Sequence, residues 1–332
     1  VICKLSVEKG STTPKKTKES IGQALTSNSM YKDKLQSEEN RCWTLKYAGI
    51  SNGPGFLLDI VPAVEEPLTS IMELVGLGVQ PQFAETILSI TEKRGGNNYV
   101  WLSSNPKGFG AWFDQINKPF QEYQFEPRRR AYFESNRGQF KADATVESVP
   151  AYHVKSSLQR SIQILKRHRD IFYTRINNGN ALRPASVIIT SLAARAAAGA
   201  SPSLGLDGLL KHIAYGLKDY SSLLLGKIPT ARFNGEQRTF IQKKSEKWYI
   251  PNPVNPKDNY ADTWTDKTAE MFFKWIDAVV NDIVAAIPAN EGAYISSLQR
   301  SFGTEFTNCA LSLPTPTTQN STPITTPIRP WG

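Results

Sequence analysis

The sequence predicts an α+β protein in three parts: a mixed strand-and-helix lobe over residues 1–150, an all-helical lobe over 151–310, and a tail over 311–332. Three observations predict it. Short runs rich in β-branched and aromatic residues, bounded by turn signals, dominate the first part. Apolar residues at helical spacing dominate the second. The tail, PTPTTQNSTPITTPIRPWG, is too poor in apolar residues to bury a core and is expected to be disordered.

Residues 1–7 read as a strand and 15–27 as a helix. Residues 41–48 and 55–61 read as a hairpin, because Ser-Asn-Gly-Pro-Gly separates them. Residues 86–91 read as a further strand and 108–122 as a helix. In the second lobe, Leu158, Ile162, Leu165 and Phe172 place one apolar face on a helix over 154–173. The nearly apolar stretch 185–198 reads as a buried helix, and 203–220 as another. Phe272, Ile276, Val279, Val280, Ile283 and Ile287 recur with the helical period, and 291–306 reads as a last helix. Two lobes of this kind are expected to hold a ligand in the cleft between them.

Several function classes are excluded early. No apolar run approaches the roughly 20 residues of a membrane span, so no membrane partner is expected. Cys3, Cys42 and Cys309 are odd in number and lack C-x-x-C spacing, which speaks against a disulfide framework or a zinc site. His153, His168 and His212 form no metal motif. His168-Arg169-Asp170 spells the kinase HRD, but Arg175 stands where that loop needs Asn and no D-F-G follows, so a kinase is excluded. The net charge of +9 favours anionic partners. It is spread over Lys15, Lys16 and Lys18; Arg128 to Arg130; Lys166, Arg167 and Arg169; and Lys243, Lys244 and Lys247. Solvated surface is the ordinary expectation for each cluster. The third lies on a helix beside other informative residues.

In FLLDIVPAV, residues 56–64, Asp59 is the only charge. Side chains alternate along a strand, so Leu57, Asp59 and Val61 share one face. A buried, unpaired carboxylate costs several kcal/mol and normally neutralises, pairs or binds a metal. From this fragment two readings stay open: a strand-end Asp meeting water or an Arg, and a metal ligand.

Further segments carry a resemblance. L-D-I-V-P after a turn is similar to the third metal-binding acid of the polymerase-β-like nucleotidyltransferases. E-E-N-R-C-W-T-L-K-Y-A with F-L-L-D-I-V-P-A resembles the bacterial relatives of cyclic GMP-AMP synthase, the CD-NTases. So do W-L-S-S-N-P-K-G-F-G-A-W-F (101–113), L-Q-R-S-I-Q-I-L-K-R-H-R-D (158–170), R-P-A-S-V-I-I-T-S-L-A-A (183–194) and I-P-N-P-V-N-P-K-D-N-Y-A-D-T-W (250–264). The resemblance implies a polymerase-β-like nucleotidyltransferase lobe with a mixed sheet, followed by a helical nucleotide-binding lobe. It implies synthesis of cyclic di- or trinucleotide second messengers from ATP, GTP or other NTPs, in bacterial cytoplasmic antiphage defence. Mg²⁺ or Mn²⁺ is the implied cofactor, with Asp59 as catalytic metal ligand. Lys166 and Ser186 match residues that contact the donor triphosphate. Asn259 and Asp262 belong to the family signature and are expected to hold a loop; Trp112 and Trp264 are expected in the core. A defence-system regulator is an implied partner. So is a ubiquitin-transfer-like protein that would conjugate the chain through Gly332.

One departure matters. In these relatives a Gly-Ser and then a D-x-D run directly into a strand like V-I-C-K-L-S-V. The 332 residues contain no D-x-D, and Gly10-Ser11 follows the opening strand. The expectation is a chain that begins just past two of its three acids, inactive or weak as it stands. The alternatives are a catalytically inert nucleotide- or RNA-binding protein on the same fold, or a template-independent RNA nucleotidyltransferase.

Overall fold

A computed structural model describes residues 1–47, 56–230, 232–233, 236–237, 239–284 and 291–311. The turn at 51–55, Ile287 and the tail with Gly332 lie outside the described residues. The chain divides into two compact units: Val1–Phe113 with Pro251–Asn259, and Asp114–Ile250 with the chain from Tyr260 on. The division falls at Phe113 and returns at Pro251, whereas the sequence pattern places the change near residue 150.

The first unit is built on a five-stranded mixed sheet with strand order β1-β3-β4-β5, β2 pairing with β3. Its main elements are β1 (Ile2–Glu8), α1 (Pro14–Ser27), β2 (Trp43–Tyr47), β3 (Phe56–Glu65), α2 (Leu68–Gly76), β4 (Leu88–Lys93) and β5 (Tyr99–Ser104). β1 runs parallel to β3, and the other pairs are antiparallel. The hairpin expected from the turn residues is present, with Tyr47 opposite Phe56 and Trp43 opposite Ile60. β3 then changes partner: Ala63 lies opposite Ile90 of β4. Pro62, which has no N–H to donate, sits in the step between the two partners.

Period-2 alternation sorts the side chains. Trp43 and Leu45 of β2, and Leu58 and Ile60 of β3, pack with Ile21 and Leu25 of α1. α1 starts cleanly because Pro14 opens it and the Thr13 hydroxyl accepts from the Lys16 N–H at 3.2 Å. On the same helix Lys18 is fully buried. Its ammonium donates to the carbonyls of Glu39 and, at 2.7 Å, Asn40. Burial pulls its pKa down, opposed by Glu38. The expectation of a solvated Lys15–Lys16–Lys18 cluster therefore fails at Lys18, which ties the loop before β2 to α1.

Of the seven elements just named, two escaped the sequence pattern. α2 is one. β5 is the other, a strand that ends at Asn105-Pro106, where Asn105 Oδ1 accepts from the Gly108 N–H at 3.0 Å and starts α3 (Pro106–Glu122).

The second unit packs α5 (Ser157–Thr174), α6 (Ser186–Ala197), α7 (Gly205–Asp219) and α8 (Asp266–Val279) around a core that includes Leu165, Leu192, Ile213 and Ile276. α4 (Phe125–Ser135) precedes them and also escaped the pattern. α5 begins with a capping box: Gln159 N–H donates to Ser156 Oγ at 3.0 Å, and the Ser156 N–H donates to Gln159 Oε1 at 3.0 Å. The unit is not purely helical, since Gln242–Lys244 and Lys247–Tyr249 form a hairpin. The last expected helix is two, α9 (Glu291–Phe302) and α10 (Thr304–Leu311), because Gly303 takes φ +91° and breaks the run. Among the described residues no single helix is long and apolar enough to cross a membrane.

Gly22 tests the α1–β2 contact. Alanine is worth about 1 kcal/mol more than glycine within a helix. A Cβ here, however, would meet the Trp43 ring at 2.4 Å. We expect Gly22→Ala to destabilise by about 1–3 kcal/mol in urea unfolding. A stabilised variant would contradict this packing.

Candidate functional site

The β2–β3 register puts Thr44 opposite Asp59. The Thr44 side chain is nearly buried, and its hydroxyl donates to Asp59 Oδ1 at 2.7 Å. Asp59 itself is exposed, on the sheet face away from α1. The desolvation argument for a metal therefore falls away: this carboxylate is not buried and carries no such cost. What remains is chemical. One oxygen is held by Thr44, and no side-chain donor reaches the other among the described residues.

Glu66, just past β3, is the contrasting acid. It is buried and accepts from Lys9 (3.0 and 3.1 Å), Ser70 (2.9 Å), Ser89 (2.5 Å) and Ser103 (3.1 Å). Burial pushes its pKa up, but the hydrogen bonds from Ser89, Lys9 and Ser70 outweigh that and hold it low. Its oxygens are consumed by the fold. No group of three His, Cys, Asp or Glu side chains able to hold a metal occurs among the described residues. Mg²⁺ prefers oxygen and is often held by one or two carboxylates plus substrate phosphates. Asp59 fits one such ligand position; the described residues do not supply a two-ion cage.

Lys166 and Ser186 lie in the second unit and meet through Arg169. Lys166 is half-buried on α5, and no side-chain hydrogen bond or ion pair to its ammonium occurs among the described residues. Burial pushes its pKa down, and Arg169 one turn on adds to that. Ser186 is exposed at the first turn of α6. Arg169 is nearly buried and spans the two helices. Its Nη1 donates to Pro184 O at 2.9 Å and to Ser186 Oγ at 3.1 Å. Its Nε and Nη2 donate to Asp170 Oδ1 at 2.9 and 2.7 Å, and Arg183 Nη1 approaches the same oxygen at 3.5 Å.

Arg167 does not share this face. Its Nε donates to Phe302 O at 2.9 Å, and its guanidinium lies 5.0 Å from the centre of the Phe306 ring. Two other basic clusters are also partly structural: Arg128 donates to Phe120 O and Lys155 O, and Lys243 pairs with Asp266 at 2.9 Å. Trp112 packs on the cluster around Phe83 and Leu74, and Trp264 packs 5.2 Å from the Phe272 ring, in keeping with the core reading. Asn259 ends the strand pair that carries Pro251 opposite it, as a loop-holding residue would, and Asp262 is exposed.

Sequence reading missed Thr44 and the bridging part played by Arg169, Asp170 and Arg183. Thr44 was findable by counting back through the hairpin from Asp59. Arg169 had a signal too, since residues three apart on a helix are neighbours.

A protein from Roseivirga ehrenbergii named c-di-GMP synthase is 28% identical over 269 residues, which is 81% of this chain and 55% of that protein. The chain thus spans about half the length of the curated relative it matches. No protein-family model matches the chain.

His168 lies one residue before Arg169 and is structural. Trp275 Nε1 donates to its Nδ1 at 3.1 Å, which leaves the proton on Nε2, 3.3 Å from Asp282 Oδ2. Burial holds its pKa below 6.5, with Asp282 opposing in part. A histidine lowered in the folded state contributes stability above its unfolded pKa, and that contribution is lost as pH falls through the folded value. Stability in urea should therefore fall from pH 6.5 downward, and His168→Gln should flatten that fall. Equal pH slopes for the two proteins would contradict the neutral, buried imidazole.

Proposed function

We propose that this chain forms the core of a nucleotidyltransferase that joins NTPs into a cyclic dinucleotide. The observation that carries the proposal is the similarity to a c-di-GMP synthase across 81% of the chain. It is supported by a strand hairpin that presents Asp59 and by a donor-rich patch at Lys166 and Ser186. The relative's name makes GTP the first substrate to try, with ATP beside it. The wider reading belongs to the same proposal: a polymerase-β-like lobe of the CD-NTase kind, a bacterial cytoplasmic setting, antiphage defence, a regulator, and conjugation through Gly332.

In this reading Asp59 offers its open oxygen to Mg²⁺ or Mn²⁺, and Thr44 fixes the carboxylate plane. When bound, such an ion offsets charge that develops on phosphate oxygens. Lys166 and Ser186 would hold the triphosphate of the donor nucleotide. The sheet register bears on the other acids. Ile2 lies opposite Val61 in the parallel β1–β3 pair. Counting back, a residue just ahead of Val1 would lie opposite Asp59, and one two positions earlier would share its face. An Asp-x-Asp running straight into Val1 would place both acids beside Asp59.

The test is turnover by the protein expressed from the longest reading frame that contains this sequence. With Mg²⁺ and GTP, alone or with ATP, pyrophosphate release and a cyclic dinucleotide are expected by mass spectrometry. Asp59→Asn should lower the rate at least about 100-fold, the scale of losing several kcal/mol of charge stabilisation. Nucleotide binding without any product would favour the inert binder. An undiminished Asp59→Asn rate would remove Asp59 from the chemistry.

A further inference from the structure

The Ser186 hydroxyl keeps its proton for a ligand. A guanidinium has donors and no acceptor, so in the Arg169 Nη1 contact at 3.1 Å the Ser186 oxygen must accept. The serine's own proton is then left to donate elsewhere, and no protein acceptor takes it among the described residues. Lys166, one turn before Arg169 on α5, adds an ammonium with no hydrogen-bond or ion-pair partner among the described residues. Arg169 itself is not available to a ligand. Asp170 takes its Nε and Nη2, Pro184 O shares its Nη1, and the side chain is nearly buried.

We propose that Arg169 is a positioning residue that binds no substrate and acts through Ser186. Held in place by Asp170, it occupies one lone pair of the Ser186 oxygen and orients the hydroxyl so that its proton is left to donate to a ligand. Paired with the Lys166 ammonium, this favours an anionic acceptor, which is the chemistry of phosphate oxygens. The inference rests on the nucleotidyltransferase reading, and the ligand it names is the substrate's triphosphate.

The test is a double-mutant cycle on nucleotide binding by the same full-length protein, in EDTA so that neither a divalent ion nor Asp59 contributes. GTP and inorganic tripolyphosphate are titrated calorimetrically, with guanosine as the phosphate-free control. Ser186→Ala should weaken both phosphate ligands by about tenfold, the scale of one hydrogen bond to a charged group. Arg169→Gln should cost a similar factor. The double variant should bind no more weakly than either single one, because both remove the same donor. Guanosine binding should not change. Multiplicative losses, or an Arg169→Gln protein that binds as the parent does, would overturn the proposal. Should Arg169→Gln fail to fold by circular dichroism, Asp170→Asn takes its place with the same expected non-additivity against Ser186→Ala. If Ser186→Ala and Lys166→Ala both leave GTP and tripolyphosphate binding intact, this inference falls, while the turnover test on Asp59 still decides the synthase reading.

Discussion

The first unit depends on β3 pairing with three strands. β2 takes its first half, β4 its last residues, and β1 runs along its other side. A strand held this way cannot slip, because one residue of slip would turn every side chain to the opposite face. Leu58 and Ile60 are thereby committed to α1, and Asp59 to the far side. Pro62 is compatible with so central a strand only because its missing N–H coincides with the exchange of β2 for β4.

Against that fixed frame, the acids and bases sort by how fully the protein satisfies them. Glu66 accepts from four residues and is spent on holding the strand ends together. Asp59 receives one hydroxyl, and its other oxygen has no side-chain donor among the described residues. The second unit repeats the contrast among its bases. Arg169 is tied to Asp170, Pro184 and Ser186, whereas Lys166 is half-buried and has no hydrogen-bond or ion-pair partner among the described residues. Groups that a fold orients without satisfying are those left to meet a ligand.

Much of the fold was legible because its signals are local. The hairpin followed from its turn residues, α5 and α6 from apolar spacing and composition, and Asp59's face from strand alternation. β5 was missed because its residues were read as part of a longer motif, although Tyr99, Val100 and Trp101 are strand formers that end at Asn-Pro. The break at Gly303 was missed because one glycine within a helical pattern is usually tolerated. Net charge misled most. Lys18, Arg128 and Arg167 read as surface cations, yet each is tied to backbone carbonyls, a use that shows only once distant segments are brought together.

The anion-facing patch hangs on the phase of one helix. Lys166, Arg169 and Asp170 fall within five consecutive positions of α5, while Leu165 just before them and His168 among them face the core. Each residue turns an α-helix by about 100°. Substitutions in this stretch leave the helical phase intact. A single inserted or deleted residue does not, because it would swing the lysine away from the arginine or bury a charge in place of a leucine. Homologous chains that keep the patch should therefore vary in sequence between these positions but hold their spacing, so that length rather than identity records the function.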